Sequence, residues 1–198
     1  MPVNTSAGQP SRRSRGILLL AFAVYLVLLA WVVLFKLEVP WIGAAAGLQR
    51  PIKLVPFVPS GDAGASTPAE MLINLVLFVP FGLFVGALAP TWAWWRAGIA
   101  ALATSLALET VQHLLSTGSF DTTDLIVNTA GALVGWAMFL VVRRTSGERT
   151  SLVMTRLCVI TSALALVAAV AFFISPLNYG PQRDVVVERT APASTPTP

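Results

Sequence analysis

The chain has 198 residues, of which 56% are hydrophobic and 11% are charged, and its mean hydropathy is +0.76. A soluble domain carries about 25% charged residues, so this composition excludes an ordinary soluble protein and indicates an integral membrane protein. The formal net charge is +4. No basic stripe with interleaved aromatic residues accompanies that charge, so nucleic acid is not expected as a partner.

The apolar residues fall into five segments, at 17–35, 71–89, 97–115, 125–142 and 157–174. Each is close to the roughly 20 residues that a helix needs to cross a bilayer core of about 30 Å. Because an open sheet leaves backbone groups unsatisfied in lipid, these segments are predicted to be helices. The predicted fold class is all-α, a polytopic membrane helix bundle with five transmembrane helices.

The same segments predict the organisation of the chain. The first helix is expected to be retained as an anchor, because its apolar run exceeds the roughly 7–15 residues of a signal-peptide core. The predicted parts are a disordered cytoplasmic N-terminus at 1–15, helix 1 at 16–36, a Pro- and Gly-rich outer loop at 37–69, a core of helices 2–4 at 70–142, a basic cytoplasmic loop at 143–156, helix 5 at 157–175 and a disordered outer tail at 176–198.

Arginine placement predicts the orientation. Arginines cluster before helix 1, between helices 2 and 3, and between helices 4 and 5, and basic residues favour the cytoplasmic side. The chain is therefore predicted to be a multi-pass protein of the cell membrane with the N-terminus inside and the C-terminus outside. These arginines are Arg12, Arg13, Arg15, Arg96, Arg143, Arg144, Arg149 and Arg156.

The long loop after helix 1 contains several prolines, which exclude a regular helix. A loop of this length in so small a protein often covers a site, and a plain linker is the alternative. Its apolar residues Trp41, Leu54, Val55 and Phe57 are expected at the membrane interface.

With this orientation, the candidate polar side chains all fall in one layer at the outer leaflet. Helix 3 carries its polar residues near its outer end, and helices 2 and 4 carry theirs near their outer starts. The layer comprises Glu70, Asn74, Glu109, Gln112, His113, Asp121, Asp124 and Asn128.

Helices 2 and 4 share a pattern, since "EMLIN" and "DLIVN" both place an acid four residues before an asparagine. Gly82 and Gly86 follow in helix 2, and Gly131 and Gly135 in helix 4, at the small-x-x-x-small spacing that lets helices approach closely in lipid. Helices 2 and 4 are therefore predicted to be parallel neighbours, with helix 3 returning between them. Pro80 leaves a backbone carbonyl of helix 2 without its usual donor, which either aids packing or shapes a cavity.

Several polar residues also have a structural explanation. Asp121 can cap helix 4 with Asp124 three residues later, and Glu70 can cap helix 2. Asn74 and Asn128 can form interhelical hydrogen bonds. Glu109 lacks such an explanation, because it lies near a helix C-terminus, where the dipole disfavours negative charge. His113 could partner it as a proton-transfer couple or in a static hydrogen bond.

Three ordered motifs resemble the VanZ-like family: "NLVLFVPFG", "ETVQ" and "SFDTTDLIVNTAGALVG". The resemblance covers about 55–142, and "LVPF" in the first loop also matches a family feature. Many members carry an arginine where this chain has Gly118, so a charge partner for Asp121 or Asp124 is either missing or supplied by His113. The resemblance implies a multi-helix membrane protein, linked in some members to teicoplanin resistance.

Three functions follow as hypotheses. The first is an envelope protein that lowers teicoplanin sensitivity, either by acting on a membrane lipid or lipid-linked wall precursor or by excluding the acyl tail of the drug. The second is a membrane enzyme with Glu109 as general acid or base, in which Asp121 and Asp124 could hold a hard cation. The third is a structural or partner protein. No cofactor or metal is expected, because one histidine and one cysteine argue against zinc, and a homo-oligomer is left open.

The candidate residues have three kinds of role in these hypotheses. The catalytic candidates are Glu109, His113 and Asp124, the binding candidates are Asn74, Gln112, Asp121, Asn128 and Glu70, and the helix-packing candidates are Pro80, Gly82, Gly131 and Gly135.

Overall fold

The computed structural model describes residues 12–35, 53–58, 67–115 and 120–174. These residues form five α-helices and a 3-10 turn, with no strand beyond one isolated bridge between Lys53 and Asp121. The helices are α1 (Arg12–Phe35), α2 (Pro68–Leu88), α3 (Trp94–Leu114), α4 (Thr122–Ser146) and α5 (Thr150–Ile174), and the turn is Gly147–Arg149. The predicted all-α fold is confirmed for this part of the chain.

Side-chain caps fix the beginnings of α2 and α4. Thr67 Oγ1 accepts from the Glu70 amide at 3.2 Å, and Glu70 Oε2 accepts from the Thr67 amide at 2.9 Å, which is a complete capping box. Asp121 is the N-cap of α4, and its Oδ1 accepts from the Thr123 amide at 2.8 Å. These caps satisfy backbone donors that otherwise lack partners at a helix start.

The most extensive helix contact joins α2 and α4. A Cβ added to Gly131 would lie 2.1 Å from the Leu75 carbonyl oxygen, and one added to Gly135 would lie 1.9 Å from that of Val79. The contacts advance in the same direction along both helices, so α2 and α4 are parallel, as expected from their shared pattern. Only glycine permits so close an approach of the two backbones.

The position of α3 differs from the expectation that helix 3 lies between helices 2 and 4. α3 packs mainly on α4 and makes only a small contact with α2, because the glycines let α2 and α4 meet directly. α1 pairs with α5, and its Phe22 and Tyr25 stack on Phe84 of α2 at ring-centroid distances of 5.0 and 5.6 Å.

The predicted basic loop at 143–156 is mostly helical. α4 continues to Ser146 and α5 starts at Thr150, so only Gly147–Arg149 interrupts them. Gly147 has φ +51°, a left-handed conformation that glycine adopts readily. Arginine is a good helix former, so the hydropathy pattern marked where apolar residues end and not where the helix ends.

Three helical stretches among the described residues are long and apolar enough to cross a membrane: Arg12–Leu34, Pro68–Leu88 and Thr122–Phe172. The third spans 51 residues and includes both α4 and α5, whereas α3 lies outside all three. The count of five spans and the N-in, C-out orientation remain predictions. The disorder predicted for 1–15 is wrong at 12–15, which form the first turn of α1. The rest of the disorder predicted for the two ends falls on residues outside those that the structure describes, as does Trp41.

Candidate functional site

Residues 53–58, here called the strap, bind across the start of α4. The Lys53 amide donates to the Phe120 carbonyl at 2.8 Å, and the Thr122 amide donates to the Lys53 carbonyl at 3.1 Å. The Phe57 amide donates to Thr123 Oγ1 at 3.0 Å. This part of the long loop between α1 and α2 therefore covers the N-terminus of α4.

A buried ion pair lies beneath the strap. Lys53 Nζ is 3.5 Å from Asp121 Oδ2, and the two side chains are only 10% and 6% exposed. The Asp121 amide donates to Glu109 Oε2 at 3.2 Å, and Glu109 is 1% exposed. We call Lys53, Glu109 and Asp121 the buried charge cluster; it joins the strap, α3 and α4.

Asp124 and Asn74 form a second polar group, between α4 and α2. Asn74 Nδ2 donates to Asp124 Oδ1 at 2.8 Å, and both residues are only partly buried. This pair is the most accessible part of the polar layer that also links two helices. It therefore offers amide and carboxylate groups that a polar molecule could reach.

Two further hydrogen bonds tie α3 to its neighbours. Asn128 Nδ2 donates to Ser105 Oγ at 2.9 Å, and Gln112 Nε2 donates to the Val33 carbonyl of α1 at 2.6 Å. Asn128 Oδ1 is buried and has no hydrogen-bond partner within the described residues. These bonds give both amides a role in holding helices together.

The residues of the predicted polar layer contact different helices. Asp121 and Asn128 contact the α3 side, whereas Asp124 contacts α2, because α4 lies between those two helices. Glu70 is exposed and engaged in its capping box, apart from the other polar residues. The packing candidates Gly82, Gly131 and Gly135 lie at the α2–α4 contact, and α2 continues as a helix through Pro80.

His113 does not take the roles expected for it. The observed donor to Glu109 is the Asp121 amide, and His113 Nδ1 is buried without a hydrogen-bond partner among the residues described. The cation beside Asp121 is Lys53 and not His113. Lys53 reaches Asp121 because backbone hydrogen bonds fix Lys53 next to Phe120 and Thr122.

Sequence reasoning missed Lys53, Ser105 and Thr123. Lys53 directly precedes the "LVPF" motif, so the motif itself was the available signal for a packed segment. Ser105 and Thr123 had no distinguishing spacing, and only the tertiary structure gives them partners. Within the described ranges, no group of three His, Cys, Asp or Glu side chains converges as a metal site.

Fold and site together define a membrane protein, a bundle of apolar helices with its polar side chains bonded to one another near the starts of α2 and α4. The VanZ/LLP1 family model matches residues 22–143. The chain is also 34% identical to Protein VanZ of Enterococcus faecium over 126 residues, which is 64% of this chain and 73% of that protein. The chain belongs to the VanZ/LLP1 family, which confirms the resemblance in the sequence motifs. No solved structure matches it.

Proposed function

We propose that this chain is a multi-pass protein of the cell membrane that lowers sensitivity to teicoplanin-type lipoglycopeptides. It does so by handling a membrane lipid or a lipid-linked wall precursor at the polar end of the bundle, which faces the outer leaflet. The observation that carries the proposal is the buried charge cluster, which fixes the strap over the start of α4. Family membership supports the same conclusion.

The charge cluster is an inefficient way to stabilise a helix bundle. Removing a lysine and a carboxylate from water costs several kcal/mol per ion, and well-packed apolar residues often stabilise as much or more. Glu109 also lies within the apolar run at 97–115 that is predicted to cross the membrane, and ionisable residues inside membrane segments are rare and tend to mark functional positions. Lys53, Asp121 and Glu109 therefore support a role beyond packing, namely holding the strap in one position.

The strap presents an apolar surface at the start of α4, where its Phe57 is hydrogen-bonded to Thr123, the residue before Asp124. Leu54, Val55, Phe57 and Val58 are 70%, 62%, 54% and 50% exposed. Phe57 has φ +63°, a conformation that is uncommon outside glycine and asparagine. The hydrogen bond that its amide donates to Thr123 Oγ1 maintains that conformation, and backbone strain of this kind clusters at functional sites.

We assign the two surfaces different parts of one amphipathic ligand. The Asn74–Asp124 pair contacts the polar head group through its amide and carboxylate. The apolar side chains of the strap contact the adjoining hydrocarbon. A lipid or lipid-linked precursor has this division, so it is the class of ligand that the two surfaces fit best.

A purely structural role for the polar residues is the second candidate. Its support is that Asn74, Asn128 and Gln112 each donate a hydrogen bond to a neighbouring helix. Such bonds are worth about 0.6 kcal/mol on average in a membrane protein. This role predicts that variants lose stability and activity together, whereas the proposed function predicts that they separate.

Lipid mass spectrometry tests the proposed ligand class. The full chain would be extracted with its surrounding membrane in polymer discs, as wild type and as Asp124→Asn. Glu70→Gln is the matched control, because glutamine preserves a capping box and Glu70 is exposed. We expect a lipid enriched over bulk membrane in wild type and Glu70→Gln, and reduced in Asp124→Asn at equal thermal stability. Equal lipid content in all three would contradict the proposal.

Reporter fusions test the orientation on which the outer-leaflet placement depends. A fusion at residue 92, in the turn between α2 and α3, should report a cytoplasmic location. A fusion at residue 118, between α3 and α4, should report an external one. The reverse result would move the polar end to the cytoplasmic side and overturn the proposed encounter with an external drug.

A further inference from the structure

An apolar cavity of about 240 Å³ lies between α1, α2 and α5, away from the charge cluster. Three of the residues that line it on α5 are alanines, where larger side chains would fill the space. Trp31 of α1 and Phe172 of α5 are in ring contact beside it, with centroids 6.0 Å apart. The lining residues include Tyr25, Leu29, Val32, Leu77, Ala165 and Ala168.

Water is a poor occupant of this cavity. A buried water needs two to four polar partners, and the Tyr25 hydroxyl already donates to the Leu77 carbonyl. An apolar cavity of about 150 Å³ in a soluble protein stays dry and binds benzene. The cavity between α1, α2 and α5 is larger, so it has room for a section of hydrocarbon chain.

The surroundings of the cavity supply such a chain. Ala168 lines the cavity and is itself exposed, so the cavity opens toward the side of α5 that faces away from the other helices. On that face Leu164 and Val167 are 65% and 64% exposed, which is the composition of a surface against lipid. An empty cavity gives up dispersion contacts, and a lipid chain that enters from the bilayer restores them.

We propose that this cavity holds the section nearest the head group of one fatty-acyl chain of a membrane phospholipid. The inference deepens the proposed function and rests on it for the rest of the lipid. Leu77, which lines the cavity, follows Asn74 by three residues, a rise of roughly 5 Å along α2. One phospholipid can therefore place its head group at the Asn74–Asp124 pair and an acyl chain in the cavity.

Photolabelling of the full-length protein tests the acyl-chain site. The protein would be placed in phosphatidylcholine vesicles with a small fraction of phosphatidylcholine that carries a diazirine in the half of one acyl chain nearest the head group. Adducts would be mapped by mass spectrometry in wild type, Ala165→Leu and Ala168→Leu. Ala163→Leu is the matched control, because Ala163 is an exposed residue of the same helix and does not line the cavity.

We expect adducts concentrated on Leu29, Val32 and Phe172 in wild type and Ala163→Leu. Most of that label should be lost in Ala165→Leu and in Ala168→Leu, because the added leucine occupies the cavity. Ala168→Leu keeps the test decisive if Ala165→Leu fails to fold, since Ala168 is at the open edge. Adducts spread evenly over the lipid-facing surface, or label unchanged by both cavity substitutions, would overturn the inference.

The two proposals fail in different ways. If the wild-type protein gives no teicoplanin tolerance and the cavity label is still lost in Ala165→Leu, the proposed function fails while the acyl-chain site stands. If tolerance is present and the adducts are spread evenly, the acyl-chain site alone is wrong. Labelling by an isoprenoid-chain probe in place of the fatty-acyl probe would also overturn the inference.

Discussion

Replacing Lys53 by methionine removes one charge from a buried ion pair while keeping much of the apolar stem of the side chain. Removing one partner of such a pair typically costs about 3–5 kcal/mol, because the other charge stays buried. Since the two atoms are 3.5 Å apart and the side chains retain 10% and 6% exposure, we expect the lower end of that range. The predicted loss in unfolding free energy is about 3 kcal/mol.

A second substitution separates the charge from the helix cap. Asp121→Asn removes the negative charge and keeps the N-cap, because asparagine caps helices as well as aspartate does. The double variant Lys53→Met/Asp121→Asn removes both charges of the ion pair, and Glu109 keeps its hydrogen bond from the backbone amide of residue 121. It should therefore be more stable than the sum of the two single losses predicts, by about 2 kcal/mol.

Thermal unfolding in detergent measures these losses. For a chain of this size about 1 kcal/mol corresponds to a shift of 2–4 °C, so Lys53→Met should melt roughly 6–12 °C below wild type. Arg149→Met is the control, because it removes an exposed cation outside the cluster. Two results would contradict the inference that the buried ion pair holds the strap. One is that Lys53→Met melts at the same temperature as the control. The other is that the double variant loses as much unfolding free energy as the two single variants together.

Two further predictions concern packing and the strap. Gly131→Ala should lower the free energy of unfolding by about 2 kcal/mol, because its new Cβ would lie 2.1 Å from the Leu75 carbonyl oxygen. Gly98→Ala is the control: its Cβ would be 3.6 Å from the nearest side chain, so the free energy of unfolding should rise by up to about 1 kcal/mol. Equal melting temperatures of the two variants would contradict the close α2–α4 contact. Thr123→Val removes the hydrogen-bond acceptor of the Phe57 amide. Because such a hydrogen bond is worth about 1 kcal/mol, hydrogen exchange at that amide should become about fivefold faster. An unchanged exchange rate would contradict a fixed strap.

Much of the helical core follows from local sequence. The glycine spacing and the acid-to-asparagine pattern were enough to predict that α2 and α4 run parallel, because close backbone approach needs small residues at that interval. Capping by Glu70 and Asp121 was also predicted from the sequence, since each acts within one turn of the start of its helix. These interactions are local, so residue types and spacing specify them.

The partners of the buried acids could not be predicted from the sequence, because they come from distant parts of the chain. Lys53 reaches Asp121 across 68 positions, and only the backbone bonds of the strap place it there. The sequence also suggested His113 as the partner of Glu109, since the two lie one helical turn apart. The observed donor is a backbone amide of the next segment, and a backbone group leaves no trace in residue identity.

Drug susceptibility tests the central claim most directly. A teicoplanin- and vancomycin-sensitive host would express wild type, Glu109→Gln or Asp124→Asn at matched membrane levels. Glu109→Gln keeps an oxygen that can accept from the Asp121 amide, so it changes charge with little change in structure. We predict that wild type raises tolerance to teicoplanin selectively and that both variants lose this effect. No change in the host with wild type, or full tolerance with both variants, would contradict the account.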